Sequence, residues 1–300
     1  MILRFSRSIV IASLLAATAL PASAATRKKK STKHTDPSTQ TDQAEQPVPL
    51  TPVEATSGGI PLTRAASVLV TDPRTARTLY EKNADERRPP ASTQKLLTAL
   101  LIAEAGNLDR RVMVQAIDTQ AEPVKLYIKP GEIYSRRELL QVLLVHSTND
   151  VARCLARDNA GSLEAFADKM NRKALELGMT HSNFVNPNGL PAPGQYSTAR
   201  DMAKLARAAY LSPTIRSIVS MKSVSFTYAD GRVREFKNTN RVLRGYPYCN
   251  GMKTGYTEAA GHCLISSGCN NGREVIVVVL GDNQQVWRDS YSLLAWGLSL

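Results

Sequence analysis

Three short clusters carry side chains suited to acyl-transfer chemistry: Ser92-Thr93-Gln94-Lys95, Ser147-Thr148-Asn149 and Lys253-Thr254-Gly255. A serine hydroxyl is a weak nucleophile at neutral pH and needs a base within hydrogen-bond reach. Positions i and i+3 share a helix face, so Lys95 can reach Ser92, and no other serine has a lysine three residues on. Lysine serves as a base only when burial or neighbouring cations bring its pKa down. The positive end of a helix N-terminus pushes in the same direction. Ser147 offers a hydroxyl that can pass a proton onward, and Asn149 a carboxamide that both donates and accepts. Lys253 and Thr254 pair a cation with a hydroxyl, which suits a carboxylate, while Gly255 permits close approach of a ligand or a second backbone. Taken singly, each cluster also reads as ordinary structure: a solvated lysine at a helix start, an N-cap and an exposed strand end.

The elements that must hold these clusters are marked by periodicity. Residues 66–71 and 77–81 flank Asp72-Pro73-Arg74 and predict a hairpin. Ser92 opens a run in which Leu96, Leu97, Leu100 and Leu101 recur at helical spacing until Gly106-Asn107 stops it. Further helices are predicted at 135–146, where Ser135 and Glu138 form a capping box, and at 149–159, 162–177, 197–210 and 212–220. Ser197 is the expected cap of the 197–210 helix. Strands at 224–228 and 233–237 flank Asp230-Gly231, a hairpin signal. Strands at 251–257, 263–267 and 274–280 follow, with Asn271-Gly272 turning the last two, and an amphipathic helix closes the chain at 284–298. Strands at both ends and helices between them imply an α+β fold with an antiparallel sheet built from the two termini.

The chain has 300 residues, of which 43% are hydrophobic and 21% charged, a balance that excludes a wholly disordered chain and a polytopic membrane protein. Arg4 and Arg7, an apolar stretch at 8–20, Pro21 and Ala22-Ser23-Ala24 read as an export signal at 1–24, too short for a membrane span. Residues 25–62 begin with a basic run and continue polar and Pro-rich, with too little apolar surface to offset ordering, so a disordered tether is expected there and a folded domain at 63–300. In an exported protein the run Arg27-Lys28-Lys29-Lys30 points to solvent, anionic lipid or wall polymer rather than to nucleic acid. Residues 1–62 carry seven bases and four acids, which leaves +9 of the formal +12 on residues 63–300 and suits an anionic substrate or matrix. The four cysteines (Cys154, Cys249, Cys263, Cys269) form no Cys-x-x-Cys pair, and the four histidines no His-Glu-x-x-His, which argues against zinc. Export permits zero, one or two disulfides.

The clusters occur once each and in the order Ser-x-x-Lys at a helix start, Ser-x-Asn between helices and Lys-Thr-Gly in a strand. That is the context of penicillin-binding proteins and related β-lactamases. With RRPPASTQKLLTAL, NPNGLP, YSTARDMAKLA, NTNRVL and GMKTGYTEAAGHCL, residues 64–300 resemble the D-alanyl-D-alanine carboxypeptidases, the low-molecular-mass penicillin-binding proteins of peptidase family S11. The resemblance implies a β-lactamase/DD-peptidase-like fold: a five-stranded antiparallel sheet flanked by helices, with an inserted all-helical subdomain. It implies Ser92 as the acylated nucleophile, Lys95 as its base and Ser147 as a proton donor to the leaving D-alanine. It also implies a substrate site of Asn149, Lys253, Thr254, Gly255 and Tyr256, with the N–H groups of Ser92 and Tyr256 as oxyanion hole. The expected substrate is a peptidoglycan stem peptide ending in D-Ala-D-Ala, and the expected covalent inhibitors are β-lactams. The resemblance calls for no metal or organic cofactor and no nucleic acid. It places the enzyme in the periplasm or wall space, with no stable membrane anchor after signal cleavage.

Several residues depart from the family pattern. Thr148 stands where Gly is common, and Asn250 where relatives often have Asp beside the Lys-Thr-Gly strand. Some relatives place an Arg upstream to bind the terminal carboxylate. Thr239 stands near that place here, and the sequence leaves open whether Arg241 substitutes. The chain ends after its last predicted helix, so the C-terminal β-domain and amphipathic anchor of many relatives are not expected. Three alternatives remain: a DD-endopeptidase using the same machinery, a β-lactamase, and an inert wall-binding protein. The β-lactamase reading lacks the deacylating Glu, since the corresponding stretch is Asn183-Phe184-Val185-Asn186-Pro187.

Overall fold

The run Val275-Ile276-Val277-Val278-Val279-Leu280 has no polar residue to mark an outer face, so it requires a strand covered on both sides. The computed structural model, which describes residues 54–300, provides that cover. Successive side chains point to opposite faces. Val275, Val277 and Val279 pack with Val68, Val70, Leu293 and Leu294, while Ile276, Val278 and Leu280 join Leu69, Ile265 and the helices of the opposite face. The expected signal at 1–24 and residues 25–53 of the expected tether lie outside the described residues. Residues 54–62 make a turn with an Ala55–Pro61 bridge.

The expected hairpin forms from β1 (Ser67–Thr71) and β2 (Thr78–Lys82). The C-terminal strands are β7 (Cys249–Thr257), β8 (Gly261–Asn270) and β9 (Arg273–Asp282). Together they make an antiparallel five-stranded sheet of order β2-β1-β9-β8-β7, so the two ends of the domain meet where β1 pairs with β9. The C-terminal helix α9 (Val286–Ser299) covers one face.

The inserted block covers the other face. It contains α1 (Lys95–Glu104), α2 (Ala116–Thr119), α3 (Arg136–His146), α4 (Asn149–Ala160), α5 (Leu163–Glu176), α6 (Ala199–Leu211) and α7 (Pro213–Val219). Helix α1 is apolar on nearly every side, with Leu96, Leu97, Ala99, Leu100 and Ile102 buried, as befits the central helix of the block. The block is not purely helical: β3 (Arg111–Met113) and β4 (Ile133–Ser135) form a two-stranded ladder within it. The predicted hairpin follows as β5 (Ser223–Thr227) and β6 (Val233–Lys237), and α8 (Arg241–Gly245) leads into β7. Elements of three to five residues such as β3, β4, α2 and α8 are too short to register a period. Ser135 and Glu138 make the predicted capping box on α3. The cap of α6 is Thr198 rather than Ser197: the Thr198 hydroxyl accepts from the Asp201 N–H at 3.0 Å, and Ser197 instead bridges to Arg88. All four cysteines are free thiols.

Helices α3 and α4 are joined by Ser147 and Thr148, and a buried ion pair fixes them to each other. Arg136 Nε donates to Asp158 Oδ2 at 2.6 Å, and Arg136 Nη1 donates to the Gly106 carbonyl at 3.2 Å. Removing one member of such a pair strands the other charge, which costs about 3–5 kcal/mol. Asp158→Ala is therefore expected to lower the urea midpoint strongly. Asp230→Ala, which breaks the exposed pair with Arg232, is expected to leave it in place.

Candidate active site

The nucleophile candidate sits on a tight turn between the hairpin and α1. Ser92 lies in a single 3-10 turn, Ala91–Gln94, rather than in the first turn of the α-helix it was expected to open. Ala91 is buried with φ of +47°, in the left-handed region that β-carbons disfavour. Two glycines explain how the turn is held. A β-carbon on Gly189 would lie 2.1 Å from the Ala91 carbonyl oxygen, and one on Gly255 would lie 2.7 Å from the Ser92 nitrogen. The Ala91–Ser92 peptide is thus gripped from two sides by distant chain segments. Gly255 belongs to β7, the edge strand of the sheet, whose side not paired with β8 meets this turn at Gly255.

Lys95 is completely buried, and its amine meets three oxygens: Ser92 Oγ at 2.7 Å, Asn149 Oδ1 at 2.7 Å and the Asn188 carbonyl at 2.8 Å. The Asn149 amide is oriented from behind, since its Nδ2 donates to the carbonyls of Glu122 and Pro123, both at 3.0 Å. Asn149 Oδ1 and the Asn188 carbonyl can only accept. A neutral amine has two N–H groups and one lone pair, so its donors go to those two oxygens and its lone pair faces Ser92. Burial brings the Lys95 pKa well below the usual lysine value. The charge of Lys253 pushes it further down, and the carboxylate of Asp150 opposes both. The Ser92 hydroxyl also lies 3.3 Å from the Asn188 carbonyl, which it can address when Lys95 is charged.

Ser147 occupies the link between α3 and α4 with φ of +71°, and its N–H closes α3 on the Leu143 carbonyl at 3.0 Å. That left-handed residue reverses the chain so that α4 begins at Asn149. Thr148 is buried and its hydroxyl has no partner. At the other end of the cleft, Lys253 is buried with its Nζ donating to the Thr254 carbonyl at 2.9 Å, and burial lowers its pKa to about 7. The Thr254 and Thr239 hydroxyls are 2.6 Å apart. Arg241 lies over the Trp287 ring at 5.5 Å, so Thr239 is the side chain that touches Thr254. Asn250 accepts from the Ser267 hydroxyl at 2.6 Å. Tyr256 is exposed, with its ring 4.5 Å from that of His262.

The family signature described as D-alanyl-D-alanine carboxypeptidase, peptidase S11, matches residues 54–284. The chain belongs to the S11 family. It is 35% identical over 229 residues to the D-alanyl-D-alanine carboxypeptidase DacF of Bacillus subtilis, covering 72% of this chain and 57% of that relative. It is 34% identical over 230 residues to the D-alanyl-D-alanine endopeptidase of Escherichia coli, covering 75% of this chain and 74% of the relative. The crystal structure of the D-alanyl-D-alanine carboxypeptidase from Mycobacterium tuberculosis superposes with a TM-score of 0.77 at 32% identity, covering 83% of this chain and 96% of that one. The five-stranded sheet with its helical block is therefore the DD-peptidase fold.

Two groups that bear on Lys95 lie outside the side chains that the motifs single out. Asn188 supplies a backbone carbonyl, which side-chain chemistry cannot announce, although it lies in the family string NPNGLP. Its loop is tied to α1 and the turn before it: Gln94 donates to the Asn186 carbonyl at 2.5 Å and Thr98 to the Pro187 carbonyl at 2.7 Å. Asp150 is a buried carboxylate that accepts from the N–H groups of Leu126 at 2.9 Å, Tyr127 at 2.8 Å and Val151 at 2.9 Å. It draws 122–128 onto α4, and burial raises its own pKa against those hydrogen bonds.

The glycine grip yields a prediction. Gly255→Ala forces the Ser92 turn and β7 apart and is expected to slow Ser92 acylation about 10²-fold, since a misplacement of order 1 Å costs that much. The melting temperature is expected to fall by only a few degrees. Stopped-flow acylation with a reporter penicillin and a thermal melt check the two parts.

Proposed function

We propose that the protein is a serine D-Ala-D-Ala carboxypeptidase that trims peptidoglycan stem peptides through a Ser92 acyl-enzyme, and that β-lactams acylate the same hydroxyl. The observation that carries this reading is the Lys95 amine, buried and directed at Ser92 by two obligate acceptors. The stem's terminal carboxylate binds Lys253 and Thr254, with Thr239 beside them. Asn149 and Tyr256 line the peptide. Ser92 Oγ attacks the carbonyl of the penultimate D-alanine as its proton passes to Lys95 Nζ, and the N–H groups of Ser92 and Tyr256 hold the oxyanion. Two such donors contribute several kcal/mol to the transition state, at about 3 for each. The C–N bond breaks as the leaving amine takes a proton relayed through Ser147. D-Alanine departs, water then attacks the ester as its proton passes through Lys95 to Ser92 Oγ, and the shortened stem leaves.

The same proposal takes residues 1–24 as a signal peptide, 25–62 as a tether and 63–300 as the catalytic domain working in the periplasm or wall space. Among the described residues no helix is long and apolar enough to cross a membrane. A DD-endopeptidase is the second reading, favoured by the 34% identity to the Escherichia coli endopeptidase. Digestion of purified muropeptides separates the two: free D-alanine from monomeric pentapeptides marks the carboxypeptidase, and conversion of dimers to monomers marks the endopeptidase. Ser92→Ala is expected to abolish either product, a loss of about 10⁴-fold or more, along with the penicillin adduct in an intact-mass spectrum.

The pH profile follows from the two lysines. Lys95 must be neutral to accept a proton, so activity rises as it deprotonates. Lys253 must be charged to hold a carboxylate, and its pKa of about 7 means that this charge is lost as pH rises past neutrality. For a substrate ending in a carboxylate, kcat/KM is expected to fall above about pH 7. For the same peptide with an amidated C-terminus, the fall is expected to disappear. Steady-state D-alanine or D-alaninamide release across pH 5–10 checks this.

A further inference from the structure

We propose that Asp282 and Asp289 share a single proton, and that this proton latches residues 63–65 onto α9, so that the entry of the chain into the sheet loosens as pH rises. The pair lies where β9 ends and α9 begins, and α9 covers the sheet face away from the helical block. Both carboxyl groups are fully buried. Asp282 Oδ1 accepts from the N–H groups of Gln284 and Gln285, both at 2.9 Å. No N–H or O–H of the described residues reaches Asp282 Oδ2. A buried carboxylate oxygen without a donor is costly and calls for a physical reason.

Asp289 supplies the reason, since it is in hydrogen-bond contact with Asp282. Asp289 Oδ2 accepts from the Thr63 hydroxyl at 2.7 Å and from the Arg64 N–H at 2.5 Å, and Oδ1 accepts from Gln285 Nε2 at 2.8 Å. Two carboxylates in contact cannot both stay charged in a buried site. One proton between them provides the donor that Asp282 Oδ2 lacks. Burial raises the Asp289 pKa, the hydrogen bonds from Thr63 and Arg64 pull it back, and Asp282 raises it again. Charged groups from three other elements face this corner. His262 of β8 stands opposite Asp282 in the ladder, and Arg241 of α8 acts on the same imidazole. Lys82 of β2 holds the strap from its other side, with Nζ donating to the carbonyls of Thr63 at 3.1 Å and Ala65 at 2.8 Å. The Thr63 hydroxyl also accepts from the Ala65 N–H at 3.1 Å, so the strap is built on the group that Asp289 engages.

A group whose pKa is raised on folding stabilises the folded form while it holds its proton, and that contribution is lost as pH rises through the raised value. Loss of the shared proton sets two buried anions against each other. Asp282 is fixed by the N–H groups of its own turn and Asp289 by α9, so relief comes from water, and the strap over Asp289 is the part that lifts.

Hydrogen exchange at the Arg64 amide reads the latch, because that N–H is bonded to Asp289. Rates in the intact wild-type protein, corrected for the intrinsic pH dependence of exchange, give its protection between pH 5 and pH 9. That protection is expected to fall about tenfold or more across the range, while the Val278 amide in the central sheet keeps its own. In Asp282→Asn the carboxamide nitrogen is a permanent donor in place of the shared proton. Its Arg64 protection is expected to vary by less than about twofold across the range and to exceed the wild-type value about tenfold at pH 9. Wild-type protection at Arg64 that does not change with pH would overturn the latch, and so would a parallel loss at Val278. A folded Asp282→Asn protein that loses Arg64 protection with pH as the wild type does would overturn it too. The wild-type titration decides the matter alone if that variant fails to fold.

Discussion

An amine with no access to water, surrounded by three oxygens of which two cannot donate, is the constraint on which this structure turns. Lys95 has nowhere to put a third proton except toward Ser92. Burial alone disfavours its charge, and a second buried lysine in the same cleft disfavours it further. In the proposed mechanism the surroundings do for lysine what a histidine does in serine hydrolases: they set a base of suitable strength beside a hydroxyl of little intrinsic reactivity. Asn149 is central because its orientation is imposed from outside the cluster. With Nδ2 committed to Glu122 and Pro123, its oxygen must face the lysine.

The fold supplies the rigidity this arrangement needs. The Ala91–Gln94 turn is held between the edge strand β7 and the 186–189 loop, and both contacts use a glycine because the backbones approach too closely for any β-carbon. Gln94 of the turn and Lys95 and Thr98 of α1 anchor the loop. The α3–α4 pair, clamped by Arg136 and Asp158, presents Ser147 and Asn149 from the other side. Two buried lysines, a buried aspartate and left-handed conformations at Ala91 and Ser147 all oppose folding locally. The doubly covered sheet and the apolar α1 supply the surplus that offsets them.

Most of this architecture was legible in the sequence because its signals are long or chemically specific. The continuous apolar run at 275–280, the Asp230-Gly231 and Asn271-Gly272 turns and the Ser135/Glu138 capping box each map onto the element they predict. The sequence also brought Ser92, Lys95 and Asn149 forward, since these act through side chains at recognisable spacing. It did not reveal the 3-10 turn at Ser92, which exists because Gly189 and Gly255 crowd it from far along the chain. Nor did it reveal the carbonyl of Asn188, a group every residue carries, or the clamp of Asp150, whose long-range partners are the backbone N–H groups of Leu126 and Tyr127, 24 and 23 residues away. Ser197 and Thr198 stand side by side, and only the pairing of Ser197 with Arg88 decides which one caps α6.

The protonation state of Lys95 in the resting enzyme tests the account most directly. Nitrogen-15 NMR of side-chain-labelled lysines, with the Lys95 resonance assigned by its absence in Lys95→Met, follows that amine through a pH titration. The account predicts a Lys95 signal that is already neutral well below the ordinary lysine value of 10.5 and remains hydrogen-bonded and protected from solvent. A Lys95 amine that stays charged until pH 10 or above would contradict it, because Ser92 would then have no base.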